Sequence, residues 1–130
     1  MNIRKDTKIL VVDDSGAIRS IIRKLLAQLG FNDVDEATDG KDALAKIHEK
    51  KYGLVISDWN MEPMNGQALL EHVRVEKHFA NLPFIMMTAE SAISKVVDAK
   101  HAGVDCFINK PFDVETLKVK ISSIGTKIAD

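Results

Sequence analysis

The stretch Ile9–Asp14, with the sequence ILVVDD, places four aliphatic residues directly before two aspartates. A short, uninterrupted apolar run is typical of a strand that is covered on both faces, as in parallel sheets. Similar runs occur at Phe84–Met87 and, more briefly, at residues 55–56 and 107–108. The less apolar stretch Asp33–Ala37 completes the set. We therefore predict five short strands, of which the first ends at the acid pair.

Segments with the apolar periodicity of a helix lie between these runs. In residues 18–29, six aliphatic side chains recur at alternating steps of three and one, which places them on one side of a helix. Three later helices are predicted to begin with a capping side chain, at Asp39, Asn65 and Asp113. Three helices are predicted to end at a glycine in the left-handed conformation, at Gly30, Gly53 and Gly103. Five strands alternating with five helices predict an α/β fold with right-handed crossovers and a doubly wound parallel sheet.

Composition and charge exclude several classes of protein. The chain has 130 residues, of which 45% are hydrophobic and 28% are charged, as expected for a single globular domain over residues 1–130. Lys and Arg number 18 and Asp and Glu number 19, so the chain lacks the basic excess that drives nucleic-acid binding. Its apolar runs fall far short of the roughly 20 residues that span a bilayer. We therefore expect a cytoplasmic protein that binds neither nucleic acid directly nor a membrane.

Side chains that can react or bind a ligand follow the predicted strands where the strands end. Strand one is followed by Asp13 and Asp14, strand three by Asp58, strand four by Thr88, and strand five leads to Lys110. The carboxyl ends of parallel strands share one edge of the sheet, where such folds bind ligands. We therefore expect these five residues to lie close together.

The charges of this set call for a cation. Two carboxylates about 4 Å apart repel by about 4 kcal/mol at an effective dielectric constant near 20. Three acids beside one lysine leave about two negative charges, which a divalent cation with oxygen ligands, Mg²⁺ or Mn²⁺, neutralises. With that cation bound, an anion with several oxygens can approach the lysine and the threonine. The set therefore predicts a site where a phosphoryl group meets a carboxylate nucleophile.

The sequence resembles the response-regulator receiver domains of two-component signal transduction, and in particular the stand-alone chemotaxis receivers. The resemblance covers residues 8–124 and is carried by ILVVDD at 9–14, DWNM at 58–61, TAE at 88–90 and KPF at 110–112. It implies a flavodoxin-like sheet of five parallel strands in the order 2-1-3-4-5 with five helices. It also implies a phosphoacceptor that assists its own phosphorylation and dephosphorylation and is not a dedicated enzyme.

The resemblance implies a role for each acid at the strand ends. Asp58 would accept the phosphoryl group from a phosphohistidine of a sensor histidine kinase or a phosphotransfer protein. Asp14, Asp58 and the backbone carbonyl of Asn60 would ligate Mg²⁺ directly. Asp13 would act largely through bound water.

Further residues would contact the phosphoryl group or respond to it. The resemblance implies that Thr88, the backbone of Ala89 and Lys110 bind the phosphoryl oxygens. The peptide bond between Lys110 and Pro111 is expected to be cis, which is a conformation characteristic of proline. Phe107 stands where the family commonly has a switch tyrosine, so it can move when Thr88 moves but cannot donate a hydroxyl hydrogen bond. A plain core role for Phe107 stays open.

Two more groups of residues follow from the resemblance. Asn60 and Glu90 would tune dephosphorylation from the rim of the site. The partner-binding face would be formed by the fourth helix, the fifth strand and the fifth helix, with the residues Ile93, Val96, Phe107, Val119 and Lys120. We expect Val119 to be exposed because it lies off the apolar stripe of the last helix.

The resemblance also implies a partner and an oligomeric state for the chain. The output would be a downstream protein, with a flagellar switch protein as the candidate from chemotaxis, and the chain would act as a monomer. A stand-alone protein is favoured over a receiver domain excised from a longer regulator or hybrid kinase.

A phosphatase of the haloacid-dehalogenase type also uses a strand-end aspartate with Mg²⁺, but it needs a second acid where Asn60 stands. A flavin or nucleotide carrier is disfavoured because no glycine-rich loop follows the first strand.

Overall fold

A computed structural model describes residues 4–88 and 103–124 of the chain. Its strands are β1 (Ile9–Val12), β2 (Val34–Ala37), β3 (Leu54–Asp58), β4 (Phe84–Thr88) and β5 (Cys106–Asn109). Its helices within these residues are α1 (Gly16–Gln28), α2 (Gly40–Glu49), α3 (Gly66–Val75) and α4 (Val114–Ser123), with a 3-10 helix at Lys77–Phe79. The predicted helix that contains Ile93 and Val96 lies outside the described residues. None of the described helices is long and apolar enough to cross a membrane.

The five strands form one parallel sheet in the order β2-β1-β3-β4-β5. The α/β class and the strand order are therefore confirmed, and four of the five predicted helices are seen in the described residues. The register aligns the ends of neighbouring strands: Val12 with Ser57, Asp58 with Met87, and Thr88 with Asn109. Residues that follow or end the strands consequently meet at one edge. We call this the carboxyl edge, formed by Asp13, Asp14, Asp58, Thr88 and Lys110.

The sheet has a hydrophobic core on each face. All four residues of β1 are fully buried, and successive residues point to opposite faces, as strand geometry requires. Leu10 and Val12 pack in the core that includes the apolar residues of α2 and α3. Ile9 and Val11 pack in the core that includes those of α1 and α4. This cover on both faces explains why the strands read as continuous apolar runs.

The predicted helix caps are confirmed. The side chains of Asp39, Asn65 and Asp113 accept hydrogen bonds from the backbone N–H groups three residues later, at Asp42, Ala68 and Thr116. These bonds satisfy amide groups that a helix start leaves without a partner. Ser15 caps α1 in the same way, accepting from the N–H of Ile18, and this cap was not predicted.

The predicted glycine conformations are confirmed at two positions and wrong at the third. Gly30 and Gly103 have φ angles of 96° and 93°, in the left-handed region. Gly53 does not have a positive φ. Its N–H instead donates to the carbonyl of Lys8 at 2.8 Å, and a Cβ there would lie 2.7 Å from the side chain of Thr7. Gly53 is therefore explained by close approach to the segment before β1.

One apolar residue of α1 is less buried than the sequence pattern predicts. Ile21 is 51% exposed, although it belongs to the predicted stripe of α1. Successive helix residues are rotated by about 100°, so Ile21 points well away from its buried neighbour Ile22. Cys106, which begins β5 at the edge of the sheet, is half-buried and packs against the core that includes α1 and α4.

Candidate functional site

Three acidic side chains converge at the carboxyl edge. Carboxylate oxygens of Asp13, Asp14 and Asp58 lie within 4.8 Å of one another. Asp13 follows β1 and Asp58 ends β3, and these two strands pair side by side. Asp13 and Asp58 are buried, whereas Asp14 is exposed. The structure therefore brings together the three acids that were predicted to hold a cation.

Lys110 supplies a positive charge to this cluster. Its Nζ lies 2.9 Å from Oδ1 of Asp58 and 3.4 Å from Oδ2 of Asp13. The backbone N–H of Lys110 donates to the carbonyl of Thr88 at 2.8 Å, and the peptide bond to Pro111 is cis, as predicted. Burial lowers the pKa of Lys110, but the contacts with Asp58 and Asp13 outweigh it, so the pKa lies above its ordinary value. The ammonium group is therefore charged at neutral pH.

Asp13 retains an unfavourable environment despite its hydrogen bonds. Its Oδ1 accepts from the N–H of Ser15 at 2.9 Å. Burial raises the pKa of Asp13; the Ser15 N–H and Lys110 oppose this, while the charge of Asp58 adds to it, and the net pKa is above the ordinary value. The acids of the carboxyl edge are thus only partly compensated by the protein itself.

The loop after β3 forms the outer rim of the cluster. Asn60 is exposed and, with Asp14 and three further residues of the loop, lines a shallow depression of about 340 Å³. The start of α3 packs directly against the end of β3, so close that a Cβ at Gly66 would overlap the backbone carbonyl of Asp58. The close approach therefore requires glycine at this position, a reason that was not predicted from the Asn65–Gly66 pair.

The other predicted site residues are placed to different extents. Thr88 ends β4 and is buried at the carboxyl edge. Phe107 lies in β5, half-buried against the core beside α2 and α3. Of the residues predicted to form a partner face, Val119 is 59% exposed, as predicted, and Lys120 is half-buried. Four predicted residues lie outside the described part of the chain: Ala89, Glu90, Ile93 and Val96.

One contact to the site was not predicted from the sequence. Nη1 of Arg19, in α1, donates to the backbone carbonyl of Asp13 at 2.6 Å. Its Nε donates to Oε1 of Glu36, in β2, at 2.8 Å. The only sequence signal for this contact is an arginine one helical turn after the Ser15 cap, at a position that faces the end of β1.

The donor set of the cluster fits a hard divalent cation. Three carboxylates within reach of one another offer oxygen ligands alone, which Mg²⁺ and Mn²⁺ prefer over the nitrogen and sulfur ligands of softer metals. A bound cation would also offset the charge that Lys110 leaves uncompensated. The residues at the carboxyl edge are therefore compatible with the predicted Mg²⁺ site.

Comparison with known proteins gives one consistent family. Residues 9–122 match the response regulator receiver domain model. The chain is 41% identical over 126 residues to the chemotaxis protein CheY-3 of Vibrio cholerae serotype O1, covering 97% of each chain. It is 40% identical over 121 residues to the chemotaxis protein CheY of Pseudomonas aeruginosa, covering 93% of this chain and 98% of the relative.

The structural comparison agrees with the sequence relatives. The crystal structure of the Vibrio cholerae chemotaxis protein CheY4 superposes with a TM-score of 0.82 at 35% identity. The match covers 88% of this chain and 94% of that one. Fold, sequence and the convergence of acids at the carboxyl edge point the same way, and we conclude that the chain belongs to the response regulator receiver domains, with CheY proteins among its relatives.

Proposed function

We propose that this single receiver domain accepts a phosphoryl group on Asp58 from a phosphohistidine of a sensor histidine kinase or phosphotransfer protein. The observation that carries the proposal is the convergence of Asp13, Asp14 and Asp58 within 4.8 Å. Lys110, with its Nζ 2.9 Å from Oδ1 of Asp58, is the positively charged side chain nearest the proposed nucleophile among the described residues. The same site lets the protein act as a switch that is set by phosphorylation.

A divalent cation is part of this proposal. Asp14, Asp58 and the backbone carbonyl of Asn60 would hold Mg²⁺, with Mn²⁺ as a substitute, and Asp13 would act largely through bound water. The bound cation would neutralise the acids and the oxygens of the incoming phosphoryl group. Without that neutralisation, the negative charges of the cluster repel the phosphoryl donor.

The chemical step needs little from the protein beyond position and charge. A carboxylate oxygen of Asp58 forms a bond to phosphorus while the phosphorus–nitrogen bond of the phosphohistidine breaks, and its electron pair stays on the imidazole nitrogen. Asp58 is held for this step at the end of β3 by its contact with Lys110. Phosphoryl transfer depends mainly on such positioning and electrostatic stabilisation.

The added phosphoryl oxygens then favour a second arrangement of the domain. We propose that they accept hydrogen bonds from the Thr88 hydroxyl and the backbone of Ala89 and an ion pair from Lys110. Thr88 lies in β4, directly beside the strand that carries Phe107. A shift of Thr88 can therefore be transmitted to Phe107, so that phosphorylation biases an equilibrium between two states.

The proposed output is a protein contact. The partner face would include Ile93, Val96, Phe107, Val119 and Lys120, and its target would be a downstream protein. Because the relatives are chemotaxis proteins by name, a flagellar switch protein is the first target to examine. Asn60 and Glu90 would set how long the phosphoryl group persists.

Phosphorylation with a small donor tests the proposal. The chain is incubated with acetyl phosphate in Mg²⁺ or in EDTA, and intact-mass spectrometry measures the mass gained. We expect one phosphoryl group per chain in Mg²⁺, none in EDTA, and none in Asp58→Asn. Asp33→Asn, at an exposed aspartate far from the cluster, is the matched control and should be phosphorylated normally. An adduct that persists in Asp58→Asn would show that the nucleophile is another residue.

A further inference from the structure

A small network holds the backbone beneath the acid pair. It consists of Arg19, Glu36 and the backbone carbonyl of Asp13, and we call it the arginine clamp. Nη1 of Arg19 lies 2.6 Å from the Asp13 carbonyl oxygen, and its Nε lies 2.8 Å from Oε1 of Glu36. The clamp therefore ties the end of β1 to β2 through a side chain of α1.

The carbonyl of Asp13 determines how the next residue leaves the strand. A peptide unit is planar, so the direction of the Asp13 carbonyl also fixes the N–H and the Cα of Asp14. We infer that Arg19 is a positioning residue that directs the carboxylate of Asp14 toward the cation. This inference rests on the proposed function, because it assigns Arg19 a role in the same Mg²⁺ site.

Asp14 depends on its backbone more than the other two acids do. The carboxylate of Asp13 contacts the Ser15 N–H and Lys110, and that of Asp58 contacts Lys110. Asp14 is exposed, and no group in residues 4–88 or 103–124 donates a hydrogen bond to its carboxylate. The placement of its Cα therefore depends on the peptide unit that the arginine clamp holds.

Glu36 anchors the guanidinium group in turn. Its Oε1 accepts from Arg19, and its Oε2 accepts from Nη1 of Arg23 at 3.0 Å. Arg19 and then Arg23 hold the pKa of Glu36 below its ordinary value, so the carboxylate stays ionised near neutral pH. Paired charges of this kind fix both the position and the plane of a guanidinium group.

Arg23 provides a matched control for Arg19. It lies one helical turn later in α1 and contacts the same carboxylate. Within the described residues it donates to Glu36 and not to Asp13. Changing Arg23 removes the same net charge and one contact to Glu36, but it leaves the bond to the Asp13 carbonyl in place.

The direction in which Mg²⁺ affinity changes when Arg19 is replaced distinguishes a positioning role from a charge effect. A positive guanidinium group near a cation site repels the cation, so removing its charge alone would strengthen Mg²⁺ binding. Losing the orientation of Asp14 would weaken binding instead. A purely structural role would lower the free energy of unfolding without changing the affinity of the folded protein for Mg²⁺.

Titration of the folded variants with Mg²⁺ tests the inference. Trp59, which is buried directly after Asp58, reports binding by its fluorescence, and urea denaturation shows that each variant is folded. We expect Arg19→Met to raise the Mg²⁺ dissociation constant about tenfold, with less than about a twofold change for Arg23→Met. Arg19→Lys keeps the charge but loses the planar fork, so it should also weaken binding.

The outcomes distinguish this inference from the proposed function. Affinity that is unchanged or higher in Arg19→Met would overturn the inference while leaving Mg²⁺ binding by the wild type intact. A wild type that shows no Mg²⁺ response would overturn the proposed function and the inference together. If Arg19→Met does not fold, Arg19→Lys takes its place, because it keeps the charge and loses only the planar fork, and it should weaken Mg²⁺ binding more than Arg23→Lys does.

Discussion

The two ends of the strands distribute their charges differently. Near the amino ends, acidic groups lie beside donors of their own: Lys8 with Asp33 at 2.9 Å, Tyr52 with Asp35 at 2.6 Å, and Arg74 with Asp105 at 3.1 Å. We call these six residues the amino edge. At the carboxyl edge, Asp13 and Asp58 share one lysine, and Asp14 lies beside them. The acids of the amino edge are each paired with a donor, whereas the carboxyl edge carries negative charge that its one lysine does not neutralise.

The pKa values of Asp35 at the amino edge and Asp13 at the carboxyl edge are shifted in opposite directions. The hydroxyl of Tyr52 is the main cause that holds the pKa of Asp35 below its ordinary value. Burial, with the charge of Asp58 added, places the pKa of Asp13 above its ordinary value. Ionised Asp35 therefore stabilises the folded state, while ionised Asp13 destabilises it. A substitution that neutralises each acid should have opposite consequences at the two edges.

The largest expected effect on stability is at the Arg74–Asp105 pair. Both side chains are largely buried, and Arg74 also donates to the carbonyls of Gly103 and Phe79. Arg74→Met should lower the free energy of unfolding by about 3 kcal/mol, because it leaves a buried carboxylate without its guanidinium partner. Urea denaturation at pH 7 measures the loss.

The matched control for this prediction is an exposed pair. Arg4 and Asp6 lie 2.8 Å apart, but both side chains are mostly in solvent. Arg4→Met should cause no resolvable change in the urea midpoint, because exposed ion pairs contribute little. Equal effects of the two substitutions would contradict the view that the amino edge holds the fold through its buried charges.

At the carboxyl edge we expect a gain in stability. In EDTA at pH 7, Asp13→Asn should raise the free energy of unfolding by about 1 kcal/mol, because it removes one of several crowded like charges. Asn keeps an acceptor for the N–H of Ser15. The pKa of Asp13 is raised in the fold, so the gain should be present at neutral pH and disappear as the pH falls below 3.8, where Asp13 is protonated in both states.

In saturating Mg²⁺ we expect the wild type to be more stable than Asp13→Asn, which is the reverse of their order in EDTA. Saturating Mg²⁺ should stabilise the wild type, because a ligand that binds only the folded state adds its binding free energy. It should stabilise Asp13→Asn much less. Thermal unfolding with and without Mg²⁺ measures both proteins. A loss of stability in Asp13→Asn in EDTA would show that the carboxyl edge is not electrostatically unfavourable without the cation.

A loss of similar size to the gain at Asp13 is expected at Tyr52. Tyr52→Phe removes the 2.6 Å hydrogen bond to Asp35 and should cost about 1 kcal/mol at pH 7. The pKa of Asp35 is lowered, so this contribution is lost as the pH falls below 3.8. The pKa of Tyr52 is raised by burial and then by Asp35, so the contribution is also lost as the pH rises beyond 10.0. Denaturation at several pH values should show a plateau between these limits, and a difference independent of pH would contradict this assignment.

The fold and the main site could be predicted because both depend on local sequence. Each of the five residues of the carboxyl edge stands directly at the end of a strand or shortly after it. Once the strands are parallel, their proximity follows from the topology. Caps such as Asp39 were predictable for the same reason, since a cap bonds a backbone group three residues away.

Contacts that depend on packing between distant segments could not be predicted in this way. Arg74 and Asp105 are 31 residues apart, and Arg19 and Glu36 are 17 apart. Gly30 lies two residues after the end of α1, whereas Gly53 lies four residues after the end of α2, beyond an extended Lys50, and only Gly30 has the left-handed conformation. Ile21 shows that an apolar stripe in the sequence can be wider than the face that the sheet covers.

Isothermal titration calorimetry with Mg²⁺ tests most directly whether the carboxyl edge is a cation site built from these acids. The wild type should bind one Mg²⁺ per chain, and Asp14→Asn and Asp58→Asn should each weaken binding by about tenfold or more. Asp33→Asn, at the amino edge, should bind Mg²⁺ as the wild type does. Absence of Mg²⁺ binding by the wild type, or equal affinity in all four proteins, would contradict the account.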